Sequence, residues 1–271
     1  MPLRRLTRVF RNAFRSPGYR LFGLRMARDY LRFALRCARS WGSTRPGTVD
    51  LLGARMEYPN QSYALFLLHE IFVEATYAFR SRSPRPLVID CGANVGFSTL
   101  FFKALYPDAR VVAVEAHPDT FGWLRGNVER NGFRGMEIRQ AAVADRDGVV
   151  TLFTPETDAG SITASLRDDW TPGAGAQVPA VRLSALVTEP VDFLKLDVEG
   201  AEYAVVRELV ASGAVARIRE MGVELHALPG EPDGPAELRG LLQGAGMEVA
   251  VEPDDGRGTW ILRARRPEAA G

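Results

Sequence analysis

The sequence predicts an α/β protein in which a mostly parallel, doubly wound sheet carries helices on both faces. From residue 87 onwards, short apolar strands alternate with helices, a pattern typical of such sheets. A chain of 271 residues with 46% hydrophobic composition is long enough for one domain of this kind with appendages. Two cysteines, Cys37 and Cys91, exclude a disulfide scaffold. No apolar run reaches the roughly 18 residues of a membrane span, so we expect a cytoplasmic protein.

Residues 1–42 are predicted to form a basic amphipathic helical arm, broken at Ser16-Pro17-Gly18. Residues 1–45 contain twelve Arg and one acid, Asp29, so the remainder of this +1 chain carries a net charge of −10. Apolar residues recur at helical spacing, namely Leu3, Leu6, Phe10 and Phe14, then Leu21, Leu24, Leu31, Leu35 and Trp41.

Three interpretations of this arm stay open. It packs on the rest of the protein, it contacts an anionic membrane or an acidic partner, or it is an organelle transit peptide. The second interpretation would place the protein peripherally at the inner face of the membrane. The acidic balance of the remaining chain argues against nucleic acid as a partner.

Residues 43–86 are predicted as a cap or linker region, with a loop and short strand followed by an apolar helix from Gln61 to Phe79. Residues 87–266 form the main domain, and 267–271 form a tail. The predicted strands are Leu87–Asp90, Arg110–Glu115, Met136–Val143, Val149–Phe153, Val178–Leu183, Val191–Leu196, Glu220–Leu225, and an antiparallel pair, Met247–Val251 and Thr259–Arg263. Seven of these build the central sheet, and two short strands, Val149–Phe153 and Val178–Leu183, flank an insertion.

A glycine-containing loop follows the first strand of this domain. Gly92 and Gly96 have the spacing GxxxG, which matches neither the GxGxxG motif of dinucleotide sites nor a Walker loop. Glu115 ends the next strand, where an acid accepts hydrogen bonds from a ribose diol, although it could instead cap the following helix. The pattern predicts a nucleoside cofactor without a pyrophosphate, S-adenosylmethionine (SAM). The candidate cofactor residues are Asp90, Gly92, Ala93, Asn94, Gly96, Ser98, Glu115, Ala116, Ala142 and Val143.

The candidate reacting groups lie at the ends of the fourth and fifth parallel strands. Lys195, Asp197 and Glu199 alternate along one strand, which places Lys195 and Asp197 on one face. His226 ends the next strand, and its ordinary pKa of about 6.5 suits a general base. We expect Asp197 and His226 to handle a proton, with Lys195 and Glu199 as organisers. A purely structural ion-pair network is the alternative.

Two further sets of residues are candidates at this end of the sheet. Asp197, Glu224 and His226 carry ligand atoms suited to a divalent ion, but their spacing does not demand a metal and none is favoured. Ser161 and Ser165, in a Gly/Ser/Thr-rich insertion, are candidates for substrate contact together with Glu224. The insertion could equally be a solvated turn.

Five segments resemble the FkbM family of SAM-dependent methyltransferases, in the same order, from about Glu70 to His226. They are Val88–Gly96, Val114–Pro118, Asn127–Gly132, Ala142–Gly148 and Phe193–Glu202. Cys91 and Ser98 depart mildly from the family pattern. The resemblance implies a Rossmann-like class I methyltransferase fold, SAM as the cofactor, and a hydroxyl acceptor on a natural product or a sugar.

We therefore expect a SAM-dependent O-methyltransferase acting on a hydroxyl of a small molecule, such as a polyketide or macrolide natural product, or a sugar. The alternatives are an NAD-dependent oxidoreductase on a similar sheet and a non-catalytic, membrane-associated adaptor. The sequence leaves homo-oligomerisation open.

Overall fold

We describe the protein from a computed structural model, which covers residues 14–40, 42–155, 164–169, 171, 173–228, 234–252 and 259–267. Its first helix, α1 (Pro17–Arg39), begins at Ser16, whose side-chain oxygen accepts a hydrogen bond from the backbone N–H of Tyr19. An antiparallel hairpin follows, built from β1 (Gly47–Leu51) and β2 (Ala54–Tyr58). Helix α2 (Gln61–Leu68) begins at Asn60 and continues into a π-helical turn at His69–Val73.

Helix α1 packs on the rest of the protein. Asp29, the acid of this arm, accepts a hydrogen bond from the backbone N–H of Leu52 in the hairpin at 3.0 Å. The leucines at helical spacing lie in this helix, but they are not all covered, since Leu24 and Leu35 are 68% and 44% exposed and Leu31 is buried. The domain covers a neighbouring face of the helix. The buried residues of that face are Met26, Ala27, Tyr30, Phe33, Ala34 and Cys37. The predicted positions Leu3, Leu6, Phe10 and Trp41 lie outside the described residues.

The apolar helix predicted to reach Phe79 ends at Val73. Its last turn is π-helical, and the chain then turns at Ala75, which has a left-handed φ of 54°. The side chain of Thr76 donates a hydrogen bond to the carbonyl oxygen of Glu70 at 2.9 Å. The apolar periodicity of the sequence continues to Phe79, but the hydrogen bond from Thr76, which lies after the last helical residue, ends the helix at Val73.

The remaining strands, in chain order, are β3 (Leu87–Cys91), β4 (Arg110–Glu115), β5 (Met136–Gln140), β6 (Ala142–Ala144), β7 (Gly148–Thr154), β8 (Ala174–Arg182), β9 (Val191–Leu196), β10 (Ile218–His226), β11 (Glu248–Val251) and β12 (Thr259–Arg265). Seven of them form one sheet in the order β11-β12-β10-β9-β3-β4-β5. The neighbours from β10 to β5 are parallel, and β12 is antiparallel to both β10 and β11. This arrangement confirms the predicted fold class.

Helices cover both faces of the sheet, because the parallel strands are apolar on both sides. On one face Val88 packs in a cluster with α1, α3 (Phe97–Leu105) and α4 (Pro118–Asn131). On the other face Ile89 packs in a cluster that includes α5 (Leu183–Leu186), α6 (Glu202–Ala211) and α7 (Gly234–Gly244). Among the described residues, no helix combines the length and apolar character that crossing a membrane requires.

The strand predicted over Met136–Val143 is wrong as a single element. The chain leaves the central sheet after β5, and β6 pairs in parallel with β8 in a separate sheet of order β6-β8-β7. Ala142 and Val143 therefore extend away from the sheet edge, past the carboxyl end of β4. This break places them where a ligand of the central sheet would lie.

Candidate functional site

A cleft with an open volume of about 780 Å³ lies at the carboxyl ends of β3, β4, β9 and β10. One side of the cleft is formed by the loop after β3, and another by polar residues that follow β9 and end β10. The π-helical turn after α2 contributes Glu70 to the wall. The cleft therefore joins the two groups of candidate residues in one site.

The loop after β3 makes a tight turn at Gly92 and Asn94, both of which have a left-handed φ. The backbone N–H groups of Gly92 and Ala93 both donate to the carbonyl oxygen of Val114, each at 3.0 Å. Asn94 adopts its left-handed φ of 50° while its side-chain oxygen accepts from the N–H of Val95. These bonds fix the loop against β4 and turn Gly92 and Asn94 towards the cleft.

Glu115 connects this loop to the end of β4. One carboxylate oxygen accepts from the N–H of Asn94 and the other from the N–H of His117, each at 2.9 Å. Burial raises the pKa of Glu115 to about 7, although these two bonds favour the charged form. Helix α4 has His117 at its cap, so the helix-capping role considered for Glu115 is not the one it has. Each oxygen keeps acceptor capacity, because a carboxylate oxygen accepts more than one bond.

The wall beside Glu115 is apolar. It consists of small and branched side chains from β4, β6, β7 and the chain before β8, which suit contact with a flat heteroaromatic ring: Val114, Ala116, Ala142, Val143, Leu152, Ala164 and Leu166. Acceptors for a diol next to an apolar slot match the chemistry of a nucleoside. The residues present therefore fit the adenosine portion of SAM.

Asp90 and Ser98 lie behind the loop, away from the cleft. The Asp90 carboxylate is fully buried and accepts from the hydroxyls of Ser98 at 2.8 Å and Thr99 at 2.9 Å. Ala93 is also buried, and Gly96 caps α3 with a left-handed φ of 96°. The structure thus places four of the predicted cofactor residues in support of the loop, while Gly92, Asn94, Glu115, Ala116, Ala142 and Val143 line the cleft.

Lys195 ties the loop to the reacting side. Its ammonium donates to the carbonyl oxygen of Gly92 at 2.8 Å and to Asp197 Oδ2 at 3.0 Å, and it lies 3.9 Å from Asp90 Oδ1. Burial by itself would lower the pKa of Lys195, but the charges of Asp197 and Asp90 raise it above its ordinary value. Lys195 is therefore a buried cation, and its side chain organises the site.

His226 is held between two carboxylates. Its Nδ1 lies 3.2 Å from Glu202 Oε1, and its Nε2 lies 3.4 Å from Glu199 Oε2. Burial alone would lower the pKa of His226, but Glu202 and Glu199 outweigh it and raise the pKa to about 10. The two carboxylates thus favour the protonated form of this imidazole. The expectation that His226 acts as a base with an ordinary pKa is therefore wrong for this geometry.

Glu202 is a site residue that the sequence reasoning missed, although it ends the segment most typical of the family. It is fully buried and accepts from the backbone N–H groups of Val198 and Gly200 at 3.0 Å and 2.9 Å. It therefore shapes the loop after β9 as well as orienting His226. Its position three residues after Glu199, at the start of α6, was the available signal.

Glu70 and Tyr77 were also missed. Tyr77 is buried and donates to Glu224 Oε2 at 3.1 Å, while Glu70 and Glu224 both line the cleft. Burial, reinforced by the neighbouring charge of Asp197, raises the pKa of both carboxyl groups. An acid at position 70 in this apolar run was the signal in the sequence, because an acid in such a run must find a polar environment.

Of the two serines predicted to contact the substrate, the structure describes Ser165. The hydroxyl of Ser165 donates to the carbonyl oxygen of Glu199 at 2.5 Å, and Ser165 is fully buried. It thus holds Glu199, whose φ of 52° is left-handed. Ser161 lies outside the described residues.

Comparison with known proteins identifies the family. The methyltransferase FkbM domain matches residues 90–249, which is more than half of the chain. The chain belongs to the FkbM methyltransferase family. It is a SAM-dependent methyltransferase, and the oxidoreductase alternative is thereby excluded.

Curated relatives of this FkbM methyltransferase come from fungi and bacteria. Methyltransferase 1 of Beauveria bassiana is 30% identical over 211 residues, covering 70% of this chain and 83% of the relative. Methyltransferase sdnD of Sordaria araneosa is 26% identical over 244 residues, covering 76% of this chain and 91% of the relative. The AMB antimetabolite synthetase AmbE of Pseudomonas aeruginosa is 26% identical, and the match spans 12% of its length.

Among solved structures, methyltransferase FkbM from Methylobacillus flagellatus KT has the same fold. It superposes with a TM-score of 0.51 at 14% sequence identity, covering 96% of this chain and 59% of that one. This likeness supports the Rossmann-like architecture described above.

Proposed function

We propose that this FkbM methyltransferase transfers the methyl group of SAM to a hydroxyl of a small natural product or sugar. The observation that carries the proposal is one cleft in which a nucleoside-shaped side, with Glu115, adjoins a side lined by Asp197 and Glu224. Methyl transfer to a hydroxyl needs in-line positioning and removal of one proton. A site that combines a nucleoside pocket with carboxylates meets both needs.

The cofactor side is assigned from its donors and acceptors. When bound, SAM supplies an electrophilic methyl group. Glu115 accepts hydrogen bonds from the two ribose hydroxyls, since each of its oxygens carries one backbone donor and retains capacity for another. The apolar wall around Val114 and Val143 contacts the adenine ring. The turn at Gly92 and Asn94 leaves room for the amino-acid end of the cofactor.

The acceptor side is assigned from charge. Lys195 and His226 are paired with carboxylates that favour their charged forms, so we assign the hydroxyl proton to neither of them. Asp197 lines the cleft next to the loop, and Lys195 donates to its Oδ2. We assign Asp197 as the residue that holds the acceptor hydroxyl and receives its proton. Glu224, fixed by Tyr77, orients the acceptor through a further hydrogen bond.

The acceptor class rests on the relatives. AmbE is described as an antimetabolite synthetase, and this description supports a small natural product as the acceptor. Phe66 and Leu67 of α2 also line the cleft and add apolar contact beside Glu70. An acceptor with hydroxyls on an apolar frame matches this mixed lining.

The test follows the fate of the methyl group. The protein is incubated with SAM carrying a ¹³C-methyl group and a panel of hydroxylated sugars and macrolides, and products are examined by NMR and mass spectrometry. We expect label on oxygen. Label on nitrogen or carbon alone would overturn the O-methylation proposal.

A variant comparison assigns the residue. Asp197→Asn should slow single-turnover methylation by roughly 10²–10⁴-fold, the range for loss of an acid–base group. The exposed Asp108→Asn is the matched control and should react at the wild-type rate. Full activity of folded Asp197→Asn would remove Asp197 from the proposed role.

A further inference from the structure

Three potential metal ligands converge at the acceptor end of the cleft, two from the loop after β9 and one from the end of β10. One ligand atom each from Asp197, Glu199 and His226 lies within 4.8 Å of the other two. We propose that these three residues bind one divalent transition-metal ion. Two carboxylates and one imidazole form a donor set suited to first-row divalent ions such as Mn²⁺ and Zn²⁺.

The distances fit a single ion. Ligand atoms about 2.1 Å from a shared ion lie about 3.0–4.2 Å from one another, depending on their angle at the metal. Glu199 Oε2 and His226 Nε2 are 3.4 Å apart, which falls inside this range. All three ligand atoms lie within 4.8 Å of one another. A small rotation of a carboxylate side chain would bring a pair at this outer limit into the range for one ion.

His226 is oriented as metal-binding histidines usually are. A ligating imidazole commonly directs its second nitrogen to a carboxylate, which fixes the ring and its tautomer. Glu202 Oε1 lies 3.2 Å from His226 Nδ1, and the same buried carboxylate accepts from the N–H groups of Val198 and Gly200. Glu202 is thus fixed by the backbone of the loop that carries Asp197 and Glu199. Glu202 therefore orients His226 and shapes the loop on which Asp197 and Glu199 lie.

The charges around the site favour a cation. At the acceptor end of the cleft, the lining includes the carboxylates of Glu70, Asp197, Glu199 and Glu224, and the cation beside them is Lys195. His226 gives up its Nε2 proton when an ion binds, because a ligating imidazole is neutral. Lys195 donates to Asp197 Oδ2 and to the carbonyl oxygen of Gly92. Among the described residues, Asp197 Oδ1 accepts no hydrogen bond from this lysine, so one oxygen of Asp197 remains for the ion. A divalent ion would balance charges that are costly to hold together in a partly buried site.

The ion would act on the methyl acceptor. A bound divalent cation holds a hydroxyl oxygen and lowers its pKa, so that the proton leaves more readily. This role rests on the proposed function, whereas binding of the ion does not. Asp197 would then contact both the ion and the acceptor.

Binding is tested on the full chain with Mn²⁺ as the probe. After treatment with EDTA and dialysis, Mn²⁺ is titrated and free ion is measured by electron paramagnetic resonance. We expect one Mn²⁺ per chain. Asp197→Asn, Glu199→Gln and His226→Gln should each weaken binding at least about tenfold. Glu202→Gln should weaken it by about 10–100-fold through the orientation of His226.

Glu137→Gln is the matched control, since it removes a negative charge from an exposed residue paired with Arg139, outside the cleft. It should weaken Mn²⁺ binding less than about threefold. Melting curves identify any variant that fails to fold. If His226→Gln does not fold, Glu202→Gln tests the role of His226 through its orientation. Absence of Mn²⁺ binding up to about 1 mM, the weak end of protein sites for divalent ions, would overturn the proposal. Equal binding by wild type and the three ligand variants would also overturn it.

Thermal shifts with S-adenosylhomocysteine separate this proposal from the proposed function. Stabilisation by S-adenosylhomocysteine without Mn²⁺ binding would remove the metal site and leave the methyltransferase assignment intact. Mn²⁺ binding that the ligand variants abolish supports the metal site even if the label experiment shows no O-methylation.

Discussion

Gly92 lies directly against the backbone carbonyl of Asp197. A Cβ at residue 92 would lie 1.7 Å from the carbonyl oxygen of Asp197, and Gly92 has a left-handed φ of 76°. The N–H of Asp197 also donates to the carbonyl oxygen of Cys91 at 3.2 Å. The cofactor loop and the loop that carries the reacting carboxylates are therefore in contact and fixed to each other.

Gly92→Ala should disrupt both loops. The new Cβ meets a backbone atom that cannot move without displacing β9, and a left-handed φ adds strain of about 1–3 kcal/mol. We expect the free energy of unfolding to fall by at least about 2 kcal/mol and the thermal shift with S-adenosylhomocysteine to disappear. Gly122→Ala in α4 is the control, since its Cβ meets nothing within 4 Å, and it should be neutral or slightly stabilising. Equal stability of the two variants would contradict the contact.

Glu115→Ala should weaken cofactor binding. It removes the acceptor for both ribose hydroxyls, and hydrogen bonds to a charged group contribute about 1.5–3 kcal/mol. We expect affinity for S-adenosylhomocysteine to fall about 10–100-fold, measured by calorimetry. Glu137→Ala on β5, where the acid is exposed and paired with Arg139, should bind like wild type. A normal titration by Glu115→Ala would reject the ribose assignment.

The stability of the protein should depend on pH through Glu115. Burial raises the pKa of this carboxyl group from 4.5 to about 7, so between these values the folded state binds more protons than the unfolded state. Its contribution is fully present below about pH 4.5 and is lost as the pH rises through about 7, at a cost of up to about 3 kcal/mol. Urea unfolding of wild type and Glu115→Gln measures this difference.

We expect the free energy of unfolding of wild type to fall relative to Glu115→Gln as the pH rises from 5 to about 8.5. Other titrating groups act equally in both proteins and cancel in the comparison. Parallel pH profiles for the two proteins would show that Glu115 does not hold its proton more tightly when folded.

The covered face of α1 should contribute to global stability. Phe33 is 2% exposed and Leu24 is 68% exposed, although both are large apolar residues of the same helix. Phe33→Ala should lower the free energy of unfolding by about 3–5 kcal/mol, the usual cost of emptying a buried aromatic site. Leu24→Ala should change it by less than about 0.5 kcal/mol. Similar losses in the two variants would mean that the helix packs with another face.

The outward face of α1 suits an anionic surface, because exposed Leu24 and Leu35 alternate with exposed Arg28 and Arg32. We predict that the full chain sediments with phosphatidylserine vesicles at low salt and less at high salt, since exposed charges are screened. The double variant Leu24→Glu/Leu35→Glu should remain in the supernatant. Wild type that ignores such vesicles at low salt would reject membrane contact.

Much of the architecture could be predicted from local patterns. Alternating strands and helices predicted the seven-stranded sheet, because buried parallel strands must be apolar and the helices between them must cover both faces. The spacing of Gly92 and Gly96, followed by Glu115 at the end of the next strand, located the cofactor side. These features are readable because each depends on residues close together in the chain.

Other features depend on partners distant in the chain. β6 leaves the central sheet because β8, some forty positions later, offers it hydrogen bonds, and α2 ends where Thr76 and Ala75 turn the chain. The pKa of His226 could not be predicted from its sequence neighbours, since Glu202 at the start of α6 and Glu199 in the loop after β9 raise it.

The sequence by itself therefore determined the order of the elements, the family and the residue types available for chemistry. Only the tertiary structure decided which carboxylates surround His226, which face of α1 is covered, and that Asp90 supports the loop from behind while Glu115 faces the cleft. The physical reason is that propensity and periodicity act between near neighbours, whereas burial and charge act through space.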